Sequence, residues 1–232
     1  MPRKLRRLGQ IDCIELYAGE AHPWIILFHG YGADADDLAP LAQIIRTQRP
    51  FNWLFPQGIE DVPIGPAWMG KAWWKLDISR IENFMRTGTE WDLSEEVPAG
   101  LSRARENVDL MLRELKVPGH RLVLGGFSQG GMLAVDTALR LPENPMGLLL
   151  LSTACINKKE WSKLAPKRAG TPYFLSHGRE DQVLSFKNGQ RLQSLLNEAG
   201  LKGPMLEFSG GHEIPPNVIA EASRFLDSIN TP

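Results

Sequence analysis

Short apolar runs alternate with helical patterns along most of this chain. The first continuous apolar run, residues 24–28, ends in a glycine-rich loop, which predicts a buried strand and a tight turn. Similar runs predict strands at residues 51–55, 121–124, 146–151, 172–175 and 205–208. Amphipathic patterns predict helices at residues 36–45, 99–115, 129–141, 185–199 and 217–229. Near-continuous apolar strands between helices favour an α/β fold, with a mostly parallel sheet covered on both faces.

Two segments depart from this alternation. Residues 1–10 are basic, and because no apolar stretch of signal-peptide length follows them, they are predicted to form a solvated tail. Residues 59–98 mix tryptophans with Gly, Pro and charged residues, which predicts an irregular excursion near the active site with at most short helices. The short run at 205–208 is compatible with an edge strand. A length of 232 residues without repeats or linkers fits a single domain.

Composition excludes several function classes. With 26 basic and 27 acidic side chains, the chain has no global field that would attract nucleic acid, so no nucleic-acid partner is expected. No apolar run reaches about 18 residues, so we expect no stable membrane insertion. Cys13 and Cys155 are far apart, which argues against a disulfide framework or a cysteine-rich metal site. Two unpaired thiols fit core positions in a cytoplasmic protein.

A candidate nucleophile lies at the centre of residues 126–130, which have the pattern Gly-x-Ser-x-Gly. A predicted strand precedes Ser128 and a predicted helix follows it, so the turn between them exposes the serine and the helix N-terminus faces its oxygen. Glycine is expected two positions before and after Ser128 because the backbone packs too closely there for a Cβ atom. The alternative is a glycine-rich turn that contains serine by chance.

A base should follow the serine in chain order, and His177 and His212 are the histidines that do so. His212 comes after the last predicted strand and two glycines, which allow its imidazole to reach Ser128, so His212 is the predicted base. His177 precedes the acid candidates and is predicted to have a structural role. His29 lies before Ser128 at the end of a strand, and we expect it to fix its loop by hydrogen bonding.

An acid should follow the strand predicted at residues 172–175, where Glu180 and Asp181 both qualify. A purely structural alternative for Asp181 is an acidic group near the start of the helix that follows. The oxyanion hole of such an enzyme uses the amide after the nucleophile and one from an early loop. This arrangement predicts the backbone N–H groups of Gln129 and Tyr31 as the donors.

Together these motifs resemble the phospholipase/carboxylesterase family, which includes acyl-protein thioesterases and small bacterial carboxylesterases. The matching segments are residues 29–34, 55–58, 72–74, 125–131, 177–181 and 211–213. The resemblance implies the α/β-hydrolase fold without a large cap domain, and Asp181 rather than Glu180 as the acid. It also implies Tyr31 and Gln129 as the oxyanion hole. Residues 77–98 resemble the bacterial esterase branch more than the eukaryotic thioesterases.

The expected activity is that of a serine carboxylesterase that hydrolyses short- to medium-chain esters through an acyl-serine intermediate, with no metal or organic cofactor. The expected partner is a small-molecule ester, and the sequence is compatible with a homodimer. Alternatives are an acyl-protein thioesterase or lysophospholipase, a serine peptidase of the same fold, and a catalytically silent binding module.

An apolar acyl pocket is expected near Ser128. Aromatic and aliphatic side chains close to the motifs are candidates for its walls, namely Trp73, Trp74, Met69 and Leu184. The alternative is that the tryptophans only cover the edge of the sheet.

Overall fold

The computed structural model describes residues 1–88 and 90–229. Its strands are β1 (Arg3–Leu8), β2 (Ile11–Leu16), β3 (Trp24–Phe28), β4 (Asn52–Pro56), β5 (Glu60–Pro63), β6 (Met69–Ala72), β7 (Leu122–Phe127), β8 (Gly147–Leu151), β9 (Tyr173–Gly178) and β10 (Met205–Phe208). Its α-helices are α1 (Ala35–Leu38), α2 (Leu41–Ile44), α3 (Ile78–Thr87), α4 (Leu101–Leu115), α5 (Gln129–Arg140), α6 (Lys158–Leu164), α7 (Phe186–Glu198) and α8 (Pro216–Ser228).

A central sheet with the order β1-β2-β4-β3-β7-β8-β9-β10 organises these elements. Neighbours from β4 to β10 pair in parallel, whereas β1 pairs with β2 and β2 with β4 in antiparallel fashion. Strands β5 and β6 form a separate antiparallel hairpin. The mostly parallel α/β sheet predicted from the apolar runs is therefore confirmed, and β10 is an edge strand as expected.

Alternate residues of the buried strands face opposite sides of the sheet. In β3, Ile26 and Phe28 pack into one apolar layer, and Ile25 and Leu27 into the other. Helices α4, α5, α6 and α7 contribute to the first layer, and α1, α2 and α8 to the second. Helices on both faces explain why these strands are continuous apolar runs rather than alternating ones.

The N-terminal segment is not the solvated tail that its charge predicted. Residues 3–8 form β1, an edge strand that turns at Gly9, with φ +57°, into β2. Arg6 lies 2.6 Å from the Glu15 carboxylate across the strand pair. Basic side chains on an edge strand discourage pairing with other chains, which reconciles the local charge with a β structure. The charges concealed the strand from a hydrophobicity-based prediction.

The helix predicted at residues 36–45 is two short helices, α1 and α2, because Pro40 cannot donate the backbone hydrogen bond that a continuous helix needs. The excursion at residues 59–98 is also more regular than predicted. It contains the β5–β6 hairpin and the ten-residue helix α3, which has no buried residue. Helix α6 was not predicted either. Among the described residues, no helix combines the length and apolar character needed to cross a bilayer.

Candidate active site

Ser128 lies between β7 and α5 in a backbone conformation that residues other than glycine rarely adopt. Its φ is +54° and its ψ is −120°, at a cost of roughly 1–3 kcal/mol for a residue other than glycine. Its backbone N–H donates to the Leu151 carbonyl of β8 at 3.0 Å, which holds the turn against the sheet. The residue is 9% exposed and lines a cavity. The sharp turn predicted from the five-residue pattern is thus present.

The two glycines around Ser128 are required by close packing, as the sequence predicted. A Cβ atom on Gly126 would lie 2.5 Å from the backbone carbon of Gly130. A Cβ atom on Gly130 would lie 1.9 Å from the carbonyl oxygen of Phe28. Strand β3 therefore passes directly beside the turn, and any side chain at either position would separate them.

His212 and Asp181 are joined by a short hydrogen bond. The His212 Nδ1 atom lies 2.7 Å from Asp181 Oδ2, and the Asp181 side chain is fully buried. The second carboxylate oxygen accepts the backbone N–H groups of Val183 and Leu184, each at 2.8 Å. The imidazole also packs on the Phe127 ring, with 4.6 Å between centroids. Asp181 and Phe127 therefore fix the orientation of the imidazole. Glu180, the other acid candidate, is exposed.

His177 has the structural position that its place in the chain predicted. It is fully buried, and its Nε2–H donates to the Leu184 carbonyl at 2.8 Å. The same nitrogen lies 3.4 Å from Asp181 Oδ2. Burial lowers the pKa of His177, which favours the neutral ring. The neutral imidazole closes the turn that presents Asp181.

His29 fixes the loop after β3. Its Nδ1 donates to the Gly30 carbonyl at 2.7 Å, and its Nε2 accepts the Gly58 N–H at 2.9 Å. Burial lowers the pKa of His29, in agreement with a neutral ring that donates at one nitrogen and accepts at the other. The expected loop-fixing role is confirmed, and the backbone at Gly30 reaches the nucleophile turn, where a Cβ would lie 3.4 Å from that of Ser128.

The oxyanion candidates Tyr31 and Gln129 both line the cavity with Ser128. Within residues 1–88 and 90–229, neither backbone N–H donates a hydrogen bond. For Gln129 this follows from its place as the first residue of α5, where the amide has no partner in a preceding turn. Two unused amides beside the serine are what an oxyanion hole requires.

The β5–β6 hairpin supports the Tyr31 loop from outside. The Gly32 N–H donates to the Lys71 carbonyl at 2.8 Å, and the Lys71 N–H donates to the Ala33 carbonyl at 2.9 Å. A Cβ on Gly70 would lie 2.0 Å from the Gly32 carbonyl oxygen, so the two backbones touch. Part of the segment predicted as irregular is therefore a β-hairpin that is hydrogen-bonded to the loop carrying Tyr31.

The cavity at Ser128 has a volume of about 280 Å³ and mostly apolar walls. Ser128, Tyr31, Gln129 and His212 belong to its lining. Its apolar lining comprises Gly30, Ala33, Trp74, Leu76, Ile81, Trp91, Leu93, Pro98, Phe127, Met132, Ile156, Val183 and Leu184. Asp37 also contributes to the lining, and burial raises the pKa of its carboxyl group. A serine in the wall of a mostly apolar cavity can accept an ester with a hydrocarbon acyl chain.

Of the four side chains expected at the acyl pocket, Trp74 and Leu184 line the cavity, whereas Trp73 and Met69 do not. The chain bends at residues 73–74 directly after β6, and both tryptophans are buried in the same core layer, but only Trp74 also lines the cavity. Trp73 is fully buried, and its indole N–H donates to the His29 carbonyl at 3.0 Å. Met69 is 62% exposed at the start of β6.

Much of the cavity wall comes from residues that sequence reasoning did not single out. Leu76, Ile81 and Trp91 belong to the excursion at residues 59–98. Its apolar residues have no helical or strand periodicity from which their orientation could be predicted. Asn188 of α7 holds this wall, because its Nδ2 donates to the Trp91 carbonyl at 3.1 Å and its Oδ1 accepts the Leu93 N–H at 3.3 Å. An asparagine on a helix has no signature that would reveal such a role.

Both cysteines are buried away from Ser128's cavity lining. Burial raises the pKa of the Cys13 and Cys155 thiols to about 12, so both behave as apolar core groups. In the part of the chain that the structure describes, no three His, Cys, Asp or Glu side chains are grouped to hold a metal ion.

Known proteins are similar to this chain over almost its full length. The family model of the phospholipases and carboxylesterases matches residues 10–230. Acyl-protein thioesterase 1 of Aspergillus fumigatus is 26% identical over 223 residues, covering 90% of this chain and 88% of that protein. Acyl-protein thioesterase 1 of Cryptococcus neoformans is 27% identical over 217 residues, covering 87% of this chain and 82% of its own length.

Solved structures of esterases are also similar to this chain over most of its length. The crystal structure of esterase PE8 superposes with a TM-score of 0.76 at 27% identity and covers 93% of this chain and 97% of its own. A carboxylesterase from Mesorhizobium loti, at 19% identity, shares the fold with a TM-score of 0.74. The superposition covers 97% of this chain and 99% of that protein. The chain belongs to the phospholipase/carboxylesterase family and is a serine hydrolase with the α/β-hydrolase fold.

Proposed function

We propose that the protein is a carboxylesterase that cleaves esters of short- to medium-chain acids through an acyl-Ser128 intermediate. The observation that carries this proposal is the 2.7 Å hydrogen bond between His212 and Asp181 beside a strained serine on the same cavity. The three residues lie at the same edge of the sheet, because they follow the carboxyl ends of the parallel strands β7, β9 and β10.

Each proposed role follows from the atoms that are available. The Asp181 carboxylate accepts a hydrogen bond from His212 Nδ1–H, which keeps the proton on Nδ1 and leaves Nε2 as the basic nitrogen. Nε2 takes the Ser128 proton as the hydroxyl attacks the ester carbonyl, and then donates it to the leaving alcohol. The Tyr31 and Gln129 amides stabilise the oxyanion that forms in between. Water activated by the same imidazole releases the acid.

The cavity volume supports a limit on the acyl chain. A cavity of about 280 Å³ lies at the small end of the range of roughly 300–1,000 Å³ that ligand pockets span. An acyl chain gains apolar contacts with each added methylene until the cavity is filled. We expect kcat/KM on p-nitrophenyl esters to rise with chain length through about eight carbons and to fall beyond about ten. A steady rise past twelve carbons would contradict this limit.

Replacement of Ser128 tests the proposal. We expect Ser128→Ala to lose ester hydrolysis and labelling by a fluorophosphonate probe, while the unfolding midpoint stays close to that of the native protein. Ser162→Ala, which changes an exposed serine on α6, is the control and should retain both. A Ser128→Ala protein with most of its esterase activity would refute the assignment.

A second candidate is an acyl-protein thioesterase, because the related fungal proteins bear that name. The same acyl-serine chemistry serves an oxyester or a thioester, so the two functions differ in the leaving group and not in the proposed triad. Turnover of an oxyester and a thioester with the same octanoyl group distinguishes them. A kcat/KM at least tenfold higher for the thioester would favour the second candidate.

A further inference from the structure

Two consecutive hydroxyl side chains lie behind the proposed triad, on the turn that follows β8. Thr153 Oγ1–H donates to the backbone carbonyl of Ser128 at 2.8 Å. Ser152 Oγ–H donates to the backbone carbonyl of Glu213, the residue after His212, at 3.3 Å. Ser152 and Thr153 are both fully buried, and neither lines the cavity. One dipeptide thus contacts both the nucleophile turn and the histidine loop.

The backbone of this dipeptide is strained. Ser152 has a φ of +43°, a value that residues other than glycine rarely adopt. Its N–H donates to the Ser176 carbonyl of β9 at 2.8 Å, so the sheet holds it in that conformation. Strain of this kind persists where the surroundings enforce it, and it is concentrated at functional sites. The strained turn aims the two hydroxyls in different directions, toward two different loops.

Thr153 is also packed tightly against the start of α5. A Cβ atom on Gly131 would lie 2.6 Å from the Thr153 Cβ, so the helix approaches the threonine as closely as glycine permits. The Ser128 carbonyl accepts two longer hydrogen bonds from within its own helix, from Gly131 N at 3.1 Å and Met132 N at 3.3 Å. The bond from Thr153 is the shortest of the three, and it joins the nucleophile turn to the residues after β8, beside the bond from Ser128 N–H to the Leu151 carbonyl of β8.

We propose that Ser152 and Thr153 are positioning residues that set the separation of Ser128 and His212 by holding one loop with each hydroxyl. This inference rests on the proposed function, since it assumes that proton transfer between those two residues limits the reaction. Misplacement of reacting groups by about 1 Å costs roughly a hundredfold in rate. The hydroxyls act through backbone carbonyls and touch no substrate, so their loss should lower kcat and leave KM unchanged.

Thr153→Val and Thr153→Ser form a matched pair, because valine keeps the shape without the hydroxyl and serine keeps the hydroxyl. We expect Thr153→Val to lower kcat by about ten- to a hundredfold with KM within about twofold. Thr153→Ser should restore kcat to within about threefold of the native value. Ser152→Ala, which removes the other hydroxyl, should lower kcat by about tenfold, again without a change in KM.

Two further measurements distinguish the possible outcomes. Thermal unfolding is measured for each variant, and the esterase activity of Ser128→Ala is measured in parallel. If Thr153→Val lowers the unfolding midpoint but its folded fraction retains the native kcat, the role of Thr153 is structural and the inference is wrong. Equal losses in Thr153→Val and Thr153→Ser would also overturn it, because the hydroxyl would then be irrelevant. If Ser128→Ala retains activity, the proposed function itself fails, which is a result separate from the other two.

Discussion

The Nδ1 atom of His212 lies 2.7 Å from Oδ2 of Asp181, and the carboxylate is fully buried. The other oxygen of the same carboxylate binds two backbone N–H groups of its own turn. The acid is therefore held by its loop and, in turn, holds the imidazole. A buried acceptor with this geometry selects the tautomer that leaves Nε2 unprotonated.

Asp181→Asn should test that selection. Asparagine fits the same space, but its amide favours the wrong histidine tautomer, so we expect kcat to fall by about 10³–10⁴-fold. The exposed neighbour Glu180 provides the control, because Glu180→Gln should leave kcat within about twofold. Steady-state kinetics on one p-nitrophenyl ester measures both. Comparable losses in the two variants would show that the acid was assigned to the wrong residue.

The contact between the β5–β6 hairpin and the Tyr31 loop leads to a second prediction about kcat. In Gly70→Ala the new Cβ would lie 2.0 Å from the Gly32 carbonyl oxygen and would push the hairpin away from the loop that carries Tyr31. We expect kcat to fall by at least about tenfold as one oxyanion donor moves. Gly65→Ala, on the same hairpin, meets only an ordinary contact at 3.7 Å and should have no effect. A fully active Gly70→Ala protein would argue against any influence of the hairpin on catalysis.

Helix α3 should control acyl-chain selectivity through Ile81, which lines the cavity. Shortening this side chain in Ile81→Ala enlarges the apolar end, so we expect the ratio of kcat/KM for dodecanoyl over butyryl esters to rise about three- to tenfold. Met85 lies on the same helix but is 54% exposed, and Met85→Ala should leave the ratio unchanged. The prediction fails if both variants alter the ratio equally.

Two buried neutral histidines make stability depend on pH. Burial lowers the pKa of His29 and of His177 below the value near 6.5 that they have when unfolded. As the pH falls through 6.5, the unfolded chain binds protons that the folded protein does not, so the free energy of unfolding decreases. Urea unfolding at pH 7.5, 6 and 5 should show a progressive loss of stability.

His29→Asn separates this effect from other titrations. The variant loses the acceptor for the Gly58 N–H, so we expect it to be less stable at pH 7.5 by about 1–3 kcal/mol. It also loses one titrating group, so its stability should fall less steeply with pH than that of the native protein. An unchanged slope would mean that His29 does not contribute to the pH dependence.

The sequence predicted most of the buried elements, although it missed strand β2 and helix α6, and it predicted the exposed elements poorly. Strands β3, β7 and β8 are continuous apolar runs because helices cover both sheet faces. Strand β1 carries basic residues at an edge, and helix α3 has no buried residue. In both elements, exposure removes the hydrophobic signal on which such predictions depend.

The candidate site divides in a similar way. Chain order and motif spacing identified Ser128 and His212, whereas the choice of Asp181 over Glu180 came from the family resemblance. Chain order and spacing could not distinguish Trp74, which lines the cavity, from Trp73, which does not, because that difference depends on which way an irregular segment turns. Ser152 and Thr153 escape motif analysis because their partners are backbone carbonyls, which carry no sequence signature.

Trapping the acyl-enzyme tests most directly whether Ser128 is the nucleophile. The protein is mixed with p-nitrophenyl butyrate, quenched in acid during turnover, digested and analysed by mass spectrometry. We expect a butyryl adduct on the peptide that contains Ser128, and no such adduct in Ser128→Ala. An adduct on another residue that forms and decays at the rate of turnover, with Ser128 unmodified, would contradict this expectation.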